Sequence, residues 1–394
     1  MVEDTFWDAE YPEDPLVEEE LVTAVPGRVV LVDVFGGVSA SRVAMVAAGL
    51  TVVDHLYIEI HEPAKRIVQA WFGDVRQFGD VRGLAPDDFA KQVWDAVEQH
   101  GATAVVFACG FPCRELSSVN ESRRGLRHGE SARFFEAKAL YSAILVAKPD
   151  KGLVVAIWEC VQSMLESSRL EVTDELRGVD RSIELVAMDG AHGSWCRRPR
   201  LFWTNFWVEA LPEEAEHTHR GLRHVDCILP LSPLTSLIED GYLPSWHENP
   251  ARRFHTFTRC RPSVAQPAKP RGLATASVDA LVRWKEDQHR YSPYQYESEC
   301  LVWKGDLWRC LNSNERIQMI GFPAGYLRPA GIAITEDEAC ALAGDPFPVK
   351  CFGRLLASAP GLNGTWPLQE LCAEGGRLVV AGSVVASPPV DEEL

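Results

Sequence analysis

The chain has 394 residues, 46% hydrophobic and 24% charged, which supplies a sizeable core and fits one large domain or two to three ordinary ones. Its formal net charge of −17, from 39 basic and 56 acidic side chains, argues at face value against a nucleic-acid partner, because phosphate binding leaves a basic footprint. That charge is segregated: residues 1–27 hold nine carboxylates and no Lys or Arg, Asp391, Glu392 and Glu393 add three more, and the body is only mildly acidic.

Residues 1–27 lack any helical or strand period and read as a solvated acidic tail ending at Pro26-Gly27. Arg28 to Phe35 is a continuous apolar run of buried-strand type, broken by Gly36-Gly37. Ser39-Ala40-Ser41 can start a helix carrying Val43, Ala44, Val46, Ala47 and Leu50. A second strand is predicted near Val52 to Ile60 and a helix through Pro63 to Phe72, with Pro in its first turn. A short strand before Gly79-Asp80, a helix from Pro86 to His100 and a strand from Thr103 to Ala108 follow. Next come a long helix over Ser131 to Ala147, a strand over Leu153 to Trp158, and strands near Ile183 to Met188 and Leu201 to Phe206. This alternation predicts a doubly wound α/β sheet with its ligand site at the carboxyl ends of the strands.

From about Pro212 the chain becomes rich in Pro, His and Arg, and reads as a smaller, irregular lobe over 211–299. Order returns over 300–358, with helices around Asn314 to Ile320 and Val349 to Leu356, and 359–394 forms a C-terminal extension. The apolar runs are too short for a membrane span, and the acidic start predicts no secretory signal. Eleven cysteines without CxxC pairs point to reduced intracellular thiols rather than a disulfide framework, and without metal-ligand spacing no metal is expected.

The strongest chemical signal is Gly110-Phe111-Pro112-Cys113-Arg114-Glu115-Leu116-Ser117-Ser118-Val119-Asn120, directly after the fourth strand. A cysteine in such a loop is placed as a nucleophile would be, and Arg114, Arg123 and Arg124 nearby in sequence are expected to favour its thiolate. The competing reading is an inert buried cysteine, the commoner fate of this residue type.

Over roughly residues 28–356 the chain resembles the DNA (cytosine-5)-methyltransferases, with local wording most like their eukaryotic de novo branch. The resemblance is carried by Asp33-Val34-Phe35-Gly36-Gly37-Val38, by Gly110 to Cys113 with Ser117, Val119-Asn120, Arg124-Gly125-Leu126 and Arg133-Phe134-Phe135-Glu136, and by Ile157 to Val161. Arg198 to Asn205, Gln318 to Pro323 and Gly344 to Val349 follow in family order. It implies a Rossmann-like S-adenosylmethionine-dependent methyltransferase sheet over 28–210 and 300–358, with 211–299 as a DNA target-recognition lobe.

In that family a thiolate adds to cytosine C6 to make C5 nucleophilic, which assigns Cys113 as nucleophile. Glu159 becomes the proton partner for N3, with Arg200 and Arg198 holding the base near O2. The cofactor the resemblance implies is S-adenosylmethionine: Phe35, Gly36, Gly37, Val38 and Ser39 are expected to face its methionine part, Glu59 its ribose, and Asp80 and Val81 its adenine, with Pro346 and Phe347 closing the site. Spacing from Glu59 favours Asp80 over Asp74.

Double-stranded DNA is the implied partner, contacted by Arg114, Ser117, Asn120 and Arg124 and by Arg259 or Arg261, which can reach a guanine edge or grip phosphate. Residues 251–290 supply a local +6, from nine basic and three acidic side chains. The implied location is intracellular, nuclear in a eukaryote, with homo- or hetero-oligomerisation left open. Cys160 departs from the family, which has Asn there, and the closing Gly344-Asp345-Pro346-Phe347 is a loose match. Two other readings remain: a catalytically weak regulatory homologue that binds DNA or an active methyltransferase, and a tRNA cytosine-5 methyltransferase on the same fold. A cysteine hydrolase is disfavoured, since no His stands positioned near Cys113 in sequence order.

Overall fold

Strand β1, Arg28–Val34, carries only apolar and Asp side chains after its first residue, and all of these are buried. Alternate residues enter different cores: Val29 and Leu31 pack in one apolar cluster, and Val30, Val32 and Val34 in another. Burial of both faces is what a continuous apolar run requires, and it makes β1 a central strand. The computed structural model describes residues 27–219, 221–258, 272–374 and 377–381.

The first half runs β1, α1 (Ala40–Ala47), β2 (Thr51–Ile58), α2 (Glu62–Phe72), β3 (Val75–Gln77), α3 (Pro86–His100) and β4 (Ala104–Gly110). It continues with α4 (Phe134–Val146), β5 (Val154–Val161), α5 (Glu166–Arg177), β6 (Glu184–Asp189), β7 (Pro199–Thr204), β8 (Glu216–His219) and β9 (Leu222–Val225). These nine strands form one sheet in the order β3-β2-β1-β4-β5-β7-β6-β9-β8. One face packs on α1 and α2, the other on α3, α4 and α5. The doubly wound α/β class is therefore as the sequence indicates, with one difference of direction. Strand β7 lies antiparallel between β5 and β6, so the sheet is mixed at that end.

The boundary expected at residue 210 falls inside the sheet, because β8 and β9 extend it to Val225. Their sequence, Glu-His-Thr-His followed by Leu-Arg-His-Val, forms an exposed edge hairpin with little apolar signal. Beyond it come α6 (Leu234–Leu237), β10 (Leu243–Pro244), α7 (Val278–Glu286), β11 (Val302–Lys304) and β12 (Leu307–Arg309), the three strands forming a small sheet. Then follow α8 (Ser313–Gln318), α9 (Glu336–Ala343), α10 (Val349–Ser358) and the hairpin β13–β14 (Leu371–Glu374, Arg377–Val380).

Helix α10 returns to the first core, where Phe352, Leu355 and Leu356 are buried with α1 residues. The extension after Ser358 is tied to the start of the sheet. Leu362 O accepts the Gly27 N–H, and the N–H groups of Thr365 and Gln369 donate to Ala48 and Ala47. Arg354 and Glu214 form a buried ion pair at 2.8 Å joining α10 to the segment before β8. No helix among the described residues is long and apolar enough to cross a membrane.

Candidate active site

Strand order reverses at β1, whose neighbours β2 and β4 leave in opposite directions across the sheet, and crevices at such points receive ligands in doubly wound folds. Two loops with unusual residues leave the carboxyl ends of β1 and β4. Register sets them side by side: Val34 pairs with Cys109, and Gly110 with Glu159 of β5.

The turn after β1 is built on Asp33. Its buried carboxylate accepts the Ser39 hydroxyl at 2.7 Å, while Phe35 N–H donates to Ile58 O at 2.8 Å. Phe35, Gly37 and Ser39 all have positive φ, near +55°. A side chain at Gly36 would meet the Asp33 carboxylate at 2.6 Å and the Tyr57 ring at 2.7 Å, so only glycine fits. Gly37 is the opposite case. Nothing lies within 4 Å of where its Cβ would be, so there is open space beside its Cα.

Glu59, just past β2, ties into this turn: Oε2 accepts the Gly37 N–H at 2.9 Å and Oε1 those of Ile60 and His61 at 2.8 and 2.7 Å. It acts here as a backbone cap with one acceptor lone pair left on Oε2. The Tyr57 hydroxyl donates to Gly37 O, and the buried Tyr326 hydroxyl to Val38 O at 2.7 Å. Sequence reading passed over Tyr326, although it lies three residues after the Gly321-Phe322-Pro323 motif. Asp80 lies beyond the carboxyl end of β3, while Asp74 precedes that strand and pairs with Arg42 at 3.1 Å. Hydrogen bonds from Arg82 hold the Asp80 carboxyl down at about 2, and Val81 beside it is buried.

Beneath the turn, His55 is fully buried with Nε2 3.5 Å from Asp33 Oδ2. Burial holds its imidazole below the ordinary 6.5, against the opposing pull of Asp33. Burial shifts His224 the same way, helped by His217 and His219. A histidine kept neutral in the fold costs stability once the unfolded chain takes up its proton. Stability is therefore full above pH 6.5 and falls as pH drops through and below it. Urea midpoints measured from pH 7.5 to 5 should decline, and His55→Asn should flatten the decline. An unchanged slope in that variant would remove His55 as its source.

In the second loop, the Cys113 backbone oxygen accepts Leu116 and Ser117 N–H groups at 2.9 and 2.8 Å. The cations acting on its thiol are Arg200 and, more weakly, Arg198, both from the segment of β7, and not the expected sequence neighbours. Arg124 is paired with Glu115 at 3.2 Å, Arg123 points at the Ser163 and Leu116 carbonyls, and Arg114 is exposed. The expected lowering of the thiol does not occur. Burial pushes Cys113 above its ordinary value, and Arg200 offsets this only in part.

Glu159 near the end of β5 meets Arg200 at 2.7 Å between Oε1 and Nε, with both side chains about nine-tenths buried. Burial raises the Glu159 carboxyl, with Arg200 and Arg198 pulling it down. The two arginines have different settings. Arg198 is fully buried and donates to the carbonyls of Pro346 (2.5 Å), Gly344 (2.8 Å) and Phe257 (3.2 Å). It pins the closing motif and the second lobe to the sheet, which leaves Arg200 as the arginine beside Cys113 and Glu159. Phe347 stacks on Phe352 at 4.8 Å and lies beside Gly110.

Of the residues expected at DNA, Ser117 and Asn120 fold the cysteine loop on itself. Ser117 Oγ accepts the Val119 N–H at 3.2 Å, and Asn120 Nδ2 donates to Arg114 O at 2.9 Å. Arg259 and Arg261 lie outside the described residues. Among the described residues no group of His, Cys, Asp and Glu could hold a metal ion.

No protein-family model matches the chain. Among solved structures it is similar to the Dnmt2 methyltransferase of S. pombe, at 16% identity and a TM-score of 0.50, over 84% of this chain and 97% of that one. The chain has the methyltransferase fold. A mutant of Spodoptera frugiperda DNMT2 matches at 14% identity, over 84% and 98%, and the Entamoeba histolytica methyltransferase EhMeth at 13%, over 84% and 97%, both with TM-scores of 0.50. These likenesses concern architecture. They give no support to the narrower resemblance to the eukaryotic de novo branch, which rests on local wording alone.

Proposed function

We propose that this chain transfers the methyl group of S-adenosylmethionine to C5 of cytosine in double-stranded DNA. The observation that carries the reading is the meeting of the Cys113 loop with the buried Glu159–Arg200 pair, beside the open turn at the point where strand order reverses. A general α/β nucleotide binder has no use for a thiol and a raised carboxyl together at that place.

The residues of the turn fit S-adenosylmethionine. The space beside Gly37 would take the methionine part, Glu59 keeps one acceptor for a ribose hydroxyl, Asp80 and Val81 would meet the adenine, and Phe347, beside Gly110, would close the site with Pro346. When bound, S-adenosylmethionine supplies an electrophilic methyl group.

The flipped cytosine needs activation, because its C5 is a poor nucleophile. Cys113 as thiolate forms a bond to C6, and the ring electrons move toward N3 and O2. Glu159, whose carboxyl burial pushes up against the pull of Arg200, would carry the proton that N3 takes. Arg200 stabilises charge near O2 from a fixed, desolvated position. C5 can then take the methyl group. The C5 proton then passes to water, its electron pair re-forms the C5–C6 double bond, the C6–S bond breaks to restore the Cys113 thiolate, and N3 returns its proton to Glu159. Extrusion of the base costs a few kcal/mol, offset by pocket contacts.

The test is transfer of label from S-adenosylmethionine to duplex DNA and, separately, to tRNA, followed by digestion to nucleosides. Label is expected in 5-methyl-deoxycytidine. Label only in the ribonucleoside would replace DNA by tRNA as substrate, and label in neither would favour the regulatory homologue.

A further inference from the structure

Cys113 lies in a long connection between β4 and α4, where a nucleophile needs an external scaffold to hold its Sγ in one place. The side chain after Glu159 is Cys160, a fully buried and weak hydrogen-bonding group whose thiol is pushed well up by burial. The loop is held by other residues.

Ser131, in the turn leading into α4, is completely buried. Its hydroxyl donates to Pro112 O at 2.6 Å and accepts the Glu115 N–H at 3.2 Å. One side chain thus bridges the backbone on both sides of Cys113, using its proton and a lone pair. A second tie runs to the segment after β5. Ser163 Oγ accepts the Ser118 N–H at 3.2 Å, and Arg123 Nη1 donates to Ser163 O at 2.9 Å and to Leu116 O at 3.4 Å.

We propose that Ser131 and Ser163 are positioning residues for the nucleophile, a two-point clamp that fixes where Cys113 Sγ meets cytosine C6. This rests on the methyl-transfer reading for its consequence but not for its geometry. Neither hydroxyl touches substrate in this scheme, and both act through backbone atoms of residues 112–118. The reach of such an effect is large, since misplacing a reacting atom by about 1 Å can cost roughly 100-fold in rate.

The test compares wild type, Ser131→Ala and Ser163→Ala in three measurements. These are the single-turnover rate of methyl transfer to duplex DNA, the dissociation constant for S-adenosylmethionine, and the pH profile of iodoacetamide alkylation at Cys113, read by peptide mass. Ser131→Ala is expected to lose about 10–100-fold in single-turnover rate, and Ser163→Ala, whose hydroxyl is exposed and whose backbone oxygen keeps its bond from Arg123, about 3–10-fold. Cofactor affinity should stay within about twofold of wild type, and the alkylation profile should shift. Rates are expressed per cofactor-binding site, so a partly unfolded variant does not mimic the effect, and two independent ties allow for one variant failing to fold. Unchanged rate and alkylation in the folded variants would overturn the clamp. So would a parallel loss of rate and cofactor affinity, which is the mark of general loosening. If wild type itself transfers no methyl group, the function reading fails, and the alkylation profiles still decide whether the clamp holds Cys113.

Discussion

Replacing Cys113 by Ala is expected to abolish methyl transfer, lowering the single-turnover rate by at least about 1,000-fold while leaving cofactor binding and folding near wild type. The change removes one sulfur from a loop whose shape is set by its backbone, through the Cys113 carbonyl and the neighbouring amides. The cofactor turn is anchored separately on Asp33 and Glu59. Cys113→Ser should be nearly as inactive, because a hydroxyl is far less ionised than a thiol at any working pH. The wild-type rate carries a further signature. With the thiol above its ordinary value of 9, the thiolate fraction grows about tenfold per pH unit across the neutral range. The rate limited by attack on C6 should rise accordingly. Residual transfer by Cys113→Ala, measured with the same labelled cofactor, would show that another group attacks the ring.

Glu159→Gln is expected to lower the rate by about 100- to 10,000-fold, the usual span for removing a general acid. The amide is nearly isosteric and can still accept from Arg200 Nε, so the loss is chiefly that of a transferable proton. The carboxylate form, which pairs with the charge on Arg200 when the proton has left, is lost as well. Stability should therefore fall by about 1–3 kcal/mol, readable as a shift in the urea midpoint. Thiol reactivity should change as well, since Glu159 and Arg200 act on Cys113 with opposite signs. A variant that keeps full rate would assign the N3 proton elsewhere.

Much of the sheet could be read from the chain because its central strands are buried on both faces, so that Val29–Val32 and Val154–Trp158 appear as unbroken apolar runs. Helix α3 has the bounds the sequence indicates, Pro86–His100, because a first-turn proline and Gly101 with φ near +58° mark its ends. Helix α5 escaped notice: Glu166–Arg177 is mostly polar and buries only Ser168, Val172, Thr173 and Leu176. The direction of β7 was equally hidden, since Pro199–Thr204 has the same composition whichever way it runs.

The candidate site divides along the same line. Cys113, Glu159 and Arg200 stand out as residue types in order, and strand register then brings Glu159 of β5 and Arg200 of β7 together. Their electrostatics depend on distances between elements. Arg123 and Arg124 are near Cys113 in sequence yet spend their charge on other partners, and burial decides the state of the thiol. The difference between Arg198 and Arg200 is likewise spatial: three carbonyls from distant segments surround the first.

The most direct measurement is covalent capture. Duplex DNA carrying 5-fluorocytosine has no C5 proton to lose, so a methylated adduct cannot resolve and the protein stays bonded to the base. Intact mass after incubation with S-adenosylmethionine is expected to show protein plus DNA plus one methyl group, with the bond mapped to Cys113 and absent in Cys113→Ala. Methylation of ordinary DNA without capture at Cys113 would contradict the covalent route, and capture at another residue would move the nucleophile.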